Sequence, residues 1–299
     1  MKKVLFAIIA VLLTACGGNK KPDDQAFLES LNDEHSQLSA ESTAAISDIL
    51  QQIPSPLEIS VLLKKAGKKY NPGILNSPDN LSKYNSNYKK ALNLGIYGAD
   101  LGYTNIYEQS KDGINYIESI KRLADGLSIG QFFDIETIAR LATNSKNIDS
   151  LLLMTTRNFN DINSYLQNQG RANLSVLLLT GGWLEALHIM GSIAANDPGN
   201  AELQEKIGEQ KVILNNIVSL LSFYKETDQN MAGLLEDMEN LKQVYDKVNV
   251  TYTYKESSYE IVNGVMVIKD NSTSSIEIST DTVNEIRTTV TAIRNKIIS

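Results

Sequence analysis

The segment 171–196 is apolar on every side. It carries Leu174, Val176, Leu177, Leu178, Leu179, Trp183, Leu184, Leu187, Ile189, Met190 and Ile193. A helix with no polar face is stable in water only when other protein surrounds it. Glu185 and His188 interrupt the run, so the helix reads as the centre of a bundle rather than a bilayer span. The rest of the chain must supply its walls, and it has the pattern to do so. Helical periodicity runs from about residue 26 to 248, with expected helices over 25–53, 81–109, 112–125, 130–143, 147–168, 200–225 and 228–248. With 42% hydrophobic and 21% charged residues, the composition is that of an ordinary folded protein.

The period changes after 248. Val250 to Lys255 alternates with period two, Asn263-Gly264 sits inside an apolar run, and Ser275 to Ser279 reads as a further strand. Asn-Gly between apolar residues is a strong hairpin signal. A last helix follows a cap at Thr280 or Asp281 and carries Val283, Ile286, Val290, Ile293 and Ile297. The expected fold is all-α. It is a multi-helix bundle with a small β-hairpin or meander insertion near residues 250–279 and a C-terminal helix, with residues 26–299 forming a single domain.

The N-terminus has a different logic. Lys2 and Lys3 precede a ten-residue apolar run from Val4 to Leu13. A bilayer span needs about 20 residues, whereas this length suits a signal-peptide core. The run ends in Leu13-Thr14-Ala15-Cys16, and Cys16 is the only cysteine. This resembles the lipobox of bacterial lipoproteins. The resemblance implies that residues 1–15 are a signal peptide recognised through Leu13, Thr14 and Ala15. Cleavage would then leave Cys16 as the attachment point for acyl chains such as palmitate. Residue 17 is Gly rather than Asp, which by the enteric sorting rule implies the outer membrane. Residues 16–25 read as the lipidated Cys and a flexible tether. Within it Lys21-Pro22-Asp23-Asp24 looks like the charged export signal of Bacteroidota lipoproteins.

Charge constrains the partners. The net charge is −7, and loss of Lys2 and Lys3 on cleavage takes it to −9. An acidic chain lacks the basic face that nucleic acid requires and gains nothing from an anionic lipid surface. Membrane attachment therefore falls to the lipid on Cys16, where each buried CH₂ contributes about 0.8 kcal/mol.

Searching for chemistry gives little. One Cys allows neither an intrachain disulfide nor a Cys-based zinc site. Glu185-x-x-His188 has the spacing of di-iron bundle ligands. Its second pair is missing, because the only other His is His35 and position 32 is Asn. A satisfied core histidine is the simpler reading. Asp134 and Glu136, two residues apart on a helix, point to different faces, and the oxygen-rich stretch 270–277 lacks the glycine and spacing of an EF-hand. Gly181-Gly182 lies within a helix and is no phosphate loop. No catalytic residue, metal site or cofactor is expected, and the chain reads as a non-enzyme. Asp149-Ser150-Leu151 and Asp281-Thr282-Val283 resemble the O-glycosylation sequon of exported Bacteroidota proteins, which implies sugars at Ser150 and Thr282. Both also sit where a helix start favours a cap.

The segment 81–109 is the most distinctive. Tyr84, Tyr88, Leu92, Ile96 and Ala99 recur at helical spacing, while Gly95, Gly98 and Gly102 lie close together. Each glycine costs a solvated helix about 1 kcal/mol relative to Ala, so close approach of another helix must offset it. Tyr97, Tyr103 and Tyr107 read either as a surface for a ligand or partner or as a core of aromatic rings over glycine holes. The function expected first is a non-enzymatic outer-membrane lipoprotein, a helical module docking to another cell-envelope protein, facing the periplasm or the medium. Strand addition through 250–279 would be its docking mode. The alternative is capture of a glycan or peptide for an outer-membrane transporter.

Overall fold

The computed structural model describes residues 40–50, 69–142, 148–262, 265–269 and 273–299, all within one unit, Ser39–Ser299. Helices dominate it: α1 (Ala40–Leu50), α2 (Asn87–Ile106), α3 (Ser110–Gly126), α4 (Ile135–Ala142), α5 (Ile148–Asn168), α6 (Ala172–Ala195), α7 (Ala201–Ser222), α8 (Gln229–Tyr245) and α9 (Thr280–Ile298). Four short strands, β1 (Asn249–Thr253), β2 (Ser258–Val262), β3 (Val265–Lys269) and β4 (Thr273–Glu277), separate α8 from α9. The fold is all-α with a small β insertion.

Helix α6 is the axis, as its apolar circumference demands. Trp183, Leu184, Ala186, Ile189 and Met190 are fully buried, and α2, α5, α7 and α9 pack around it. The Trp183 indole donates to Gln210 Oε1 on α7 at 3.0 Å, which satisfies its one polar atom inside the core.

Two glycines set the central crossing. A Cβ at Gly95 on α2 would lie 1.9 Å from the carbonyl oxygen of Leu178, and one at Gly181 on α6 would lie 2.0 Å from that of Leu92. No side chain fits there. The glycines let the two backbones touch, and that contact offsets their low helix propensity. The helices begin where sequence chemistry satisfies the first free N–H groups. Ser86 accepts from Lys89 N, Asn200 from Leu203 N, Asp228 from Asn230 N and Met231 N, and Ser279 from Thr282 N.

Two details differ from the sequence expectation. The helix expected over 130–143 is broken into a 3₁₀ turn, Gly130–Phe132, and α4. Asp134 accepts from Thr137 N at 3.1 Å. Its short side chain serves better as a cap than inside a helix, so the chain stops and restarts there. The cap of α9 is Ser279, whose side chain accepts from Thr282 N, rather than Thr280 or Asp281, both already inside the helix.

The β segment is a nested hairpin and not a meander. β2 pairs antiparallel with β3, Val262 opposite Val265, and β1 pairs antiparallel with β4, Val250 opposite Ile276. The Asn263-Gly264 turn itself lies outside the described residues, but the register requires two residues between β2 and β3. At the base, Gly208 on α7 leaves room for Ile276, whose Cγ2 stands 2.4 Å from where a Cβ at Gly208 would be. A two-stranded ribbon is marginal alone, so this seat on α7 holds it.

Candidate functional site

Two features stand apart from ordinary core packing: a buried polar cluster and the exposed hairpin. The cluster lies where the strap of residues 69–86 crosses α2, α6 and α9. Arg294 on α9 grips Glu185 on α6 with two bonds, Nε to Oε2 and Nη2 to Oε1, both 2.7 Å. Glu185 is 0% and Arg294 6% exposed. Arg294 Nη2 also donates to the Ile74 carbonyl at 3.3 Å. His188, one turn after Glu185, places Nε2 3.1 Å from that same carbonyl and Nδ1 3.1 Å from Thr291 Oγ1. A carbonyl only accepts, so Nε2 carries the proton and Nδ1 accepts from Thr291. Burial, reinforced by Arg294 and Arg287, pushes His188 below the usual imidazole range against the pull of Glu185. It is a neutral strut.

Asp100 on α2 completes the cluster. It is fully buried, and its Oδ2 accepts from Asn76 N at 3.2 Å. Asn76 Nδ2 donates to Tyr84 Oη at 3.0 Å and Asn93 Oδ1 at 3.2 Å. Burial, then the negative charge of Glu185, push Asp100 well above the usual carboxylate range, with Arg294 opposing. Every member is thus enclosed, and all but Asp100 Oδ1 are engaged with one another or with the strap. Glu185-x-x-His188 is a structural pair, and among the described residues no group of three or more His, Cys, Asp or Glu is arranged to hold a metal.

The tyrosines fall on the core side of the two readings. Tyr97 is 0% and Tyr103 1% exposed, so the ligand or partner surface expected of them is interior. The Tyr97 hydroxyl donates to the Ser77 carbonyl at 3.0 Å, and Tyr103 Oη accepts from Asn71 N at 3.2 Å. Both rings therefore fasten the strap. Half-buried Tyr107 packs 4.8 Å, centroid to centroid, from Tyr103. Helix α2 packs against both α6 and α3, which encloses Tyr97 and Tyr103.

The exposed rings are elsewhere. Tyr254 is 71% and Tyr259 74% exposed, one just after β1 and the other in β2. Val250, in β1, is 39% exposed. Between the β4 segment and α7 runs an open groove of about 650 Å³ bounded by Gln204, Glu205, Ile276 and Ile278. Sequence reasoning found this segment as strands but did not single out its tyrosines. The available signal was that Tyr254 and Tyr259 stand in a β-rich segment with no apolar helix face to meet them.

The remaining expectations divide by place. Leu13, Thr14, Ala15 and Cys16 lie outside the described residues, as does the tether 16–25. Ser150 is exposed on α5. Thr282 is buried, and its hydroxyl lies 2.8 Å from Ser279 Oγ at the cap of α9, so the cap role accounts for it.

No protein-family model matches this chain, and neither a curated protein nor a solved structure does.

Proposed function

We propose that this chain is a non-enzymatic lipoprotein of the outer membrane, anchored through Cys16, that docks to another cell-envelope protein through its β-hairpin. The observation that carries the reading is the exposure of Tyr254 and Tyr259 on a ribbon whose sheets, among the described residues, are each only two strands wide. Exposed tyrosines offer rigid area with a polar tip, and free strand edges accept an extended segment of a partner. The bundle interior, by contrast, spends its charged groups on one another. Capture of a glycan or peptide on Tyr97, Tyr103 and Tyr107 is the weaker reading, because the first two rings are enclosed.

The test is purification of the tagged lipoprotein from gently solubilised membranes, beside a Tyr254→Ser/Tyr259→Ser variant. A stoichiometric envelope protein should accompany the wild type and be lost from the variant, with helical circular dichroism unchanged. A partner retained equally by both would refute docking through the hairpin.

A further inference from the structure

The buried cluster holds two acids and one cation. Arg294 spends both of its short bonds on Glu185. Among the described residues, Asp100 has only the Asn76 amide on Oδ2, while its Oδ1 is buried and has no hydrogen-bond partner. Asp100 and the Arg294–Glu185 pair grip the strap two residues apart, at Asn76 and at Ile74, and burial, then the negative charge of Glu185, raises Asp100 above the usual carboxylate range. Two ionised carboxylates facing each other away from water repel strongly, and an unpaired buried charge is costlier still.

Among the described residues, the other titratable groups facing Asp100 bring no second cation. Glu185 comes from α6, Arg294 from α9, Tyr116 from α3, Tyr70 from the strap and Tyr97 from α2 itself. The three tyrosines are held above their usual range by burial, so they stay uncharged.

We propose that Asp100 keeps a proton in the folded protein and donates it from Oδ1 to Glu185, so that one proton latches the strap 69–86 onto the bundle. The bound proton leaves one anion for one cation. It supplies the donor that Oδ1 lacks, and it leaves Oδ2 free to accept from Asn76 N. Asn76 in turn holds Tyr84 and Asn93, and Arg294 and His188 meet on the Ile74 carbonyl. The strap is therefore fixed at Ile74 and Asn76 by groups that all depend on this charge balance.

The sign of the pH effect follows. The folded state binds this proton more tightly than the unfolded chain does. Stability from the latch is therefore complete at low pH and is lost as pH rises from the ordinary carboxylate range towards the folded value for Asp100. The test is thermal and urea unfolding of the full chain in detergent between about pH 5 and pH 9, wild type against Asp100→Asn. The Asn amide is a permanent stand-in for the protonated acid. Its advantage in folding constant over wild type should grow by up to about tenfold per pH unit until Asp100 titrates.

An Asp100→Asn chain destabilised equally at every pH would overturn the proposal, as would a ratio that does not change with pH. If that variant does not fold, the Asp100 carboxyl carbon resonance in the wild type decides. A shift typical of the protonated acid at neutral pH supports the latch, and that of an ionised carboxylate overturns it.

Discussion

Replacing Arg294 by Met should be among the most damaging single changes in the bundle. Methionine fills much of the space but leaves Glu185, fully buried, without its cation. Two bonds of 2.7 Å to a charged group are lost, at about 1.5–3 kcal/mol each, giving about 3–6 kcal/mol. That agrees with the ~3–5 kcal/mol expected when one partner of a buried pair is removed. Against a typical total of about 5–15 kcal/mol, the variant should be marginal. The same argument predicts a rescue. Arg294→Met combined with Glu185→Gln removes the stranded charge and should return to within about 1.5 kcal/mol of wild type, because a buried pair replaced as a unit is close to neutral. Urea unfolding followed by circular dichroism on all four members of the cycle measures the coupling. Additive losses, with the double variant worse than either single one, would refute the account of a mutually satisfied pair.

Three further outcomes follow from the same structure. Gly95→Ala should cost about 1–3 kcal/mol or more by forcing α2 off α6; Gly233→Ala on α8, where a Cβ meets nothing within 4 Å, should instead stabilise by about 0.5–1 kcal/mol. Calorimetry of the two variants separates the helix crossing from general glycine effects. Tyr97→Ala should lower stability by about 3–5 kcal/mol as a core truncation, and an unchanged melting temperature would contradict the core assignment. Cys16→Ser should move the protein from the membrane to the soluble fraction and abolish labelling by radioactive palmitate; retention in the membrane would remove the anchor from the account.

Much of the fold was legible because its strongest signals are local. Helix α6 announces its place through apolar residues on all sides, which only the centre of a bundle accommodates. The glycines of α2 announce a close crossing, because nothing else repays them. Asn263-Gly264 between apolar residues marks a hairpin in the sequence. The buried cluster was not legible as a whole, since Glu185 and Arg294 lie 109 residues apart and only the tertiary fold joins them. Its members did leave a trace. Asp100 follows Ile96 by four residues and Arg294 follows Val290 by four, which puts a charge on an apolar helix face each time. The fate of Tyr97 and Tyr103 was hidden for the opposite reason. Periodicity marks one buried face, but α2 is covered on two. The break at Asp134 was missed because a capping Asp and a helical Asp read alike until the Thr137 amide is placed.

Docking through the hairpin is tested most directly by site-specific photocrosslinking in intact cells, with the reactive group placed at position 254 or 259 and, as control, at exposed Leu153 on α5. The account predicts one discrete adduct with an envelope protein from 254 and 259 and none from 153. No adduct at the hairpin, or the same adduct from all three positions, would contradict it.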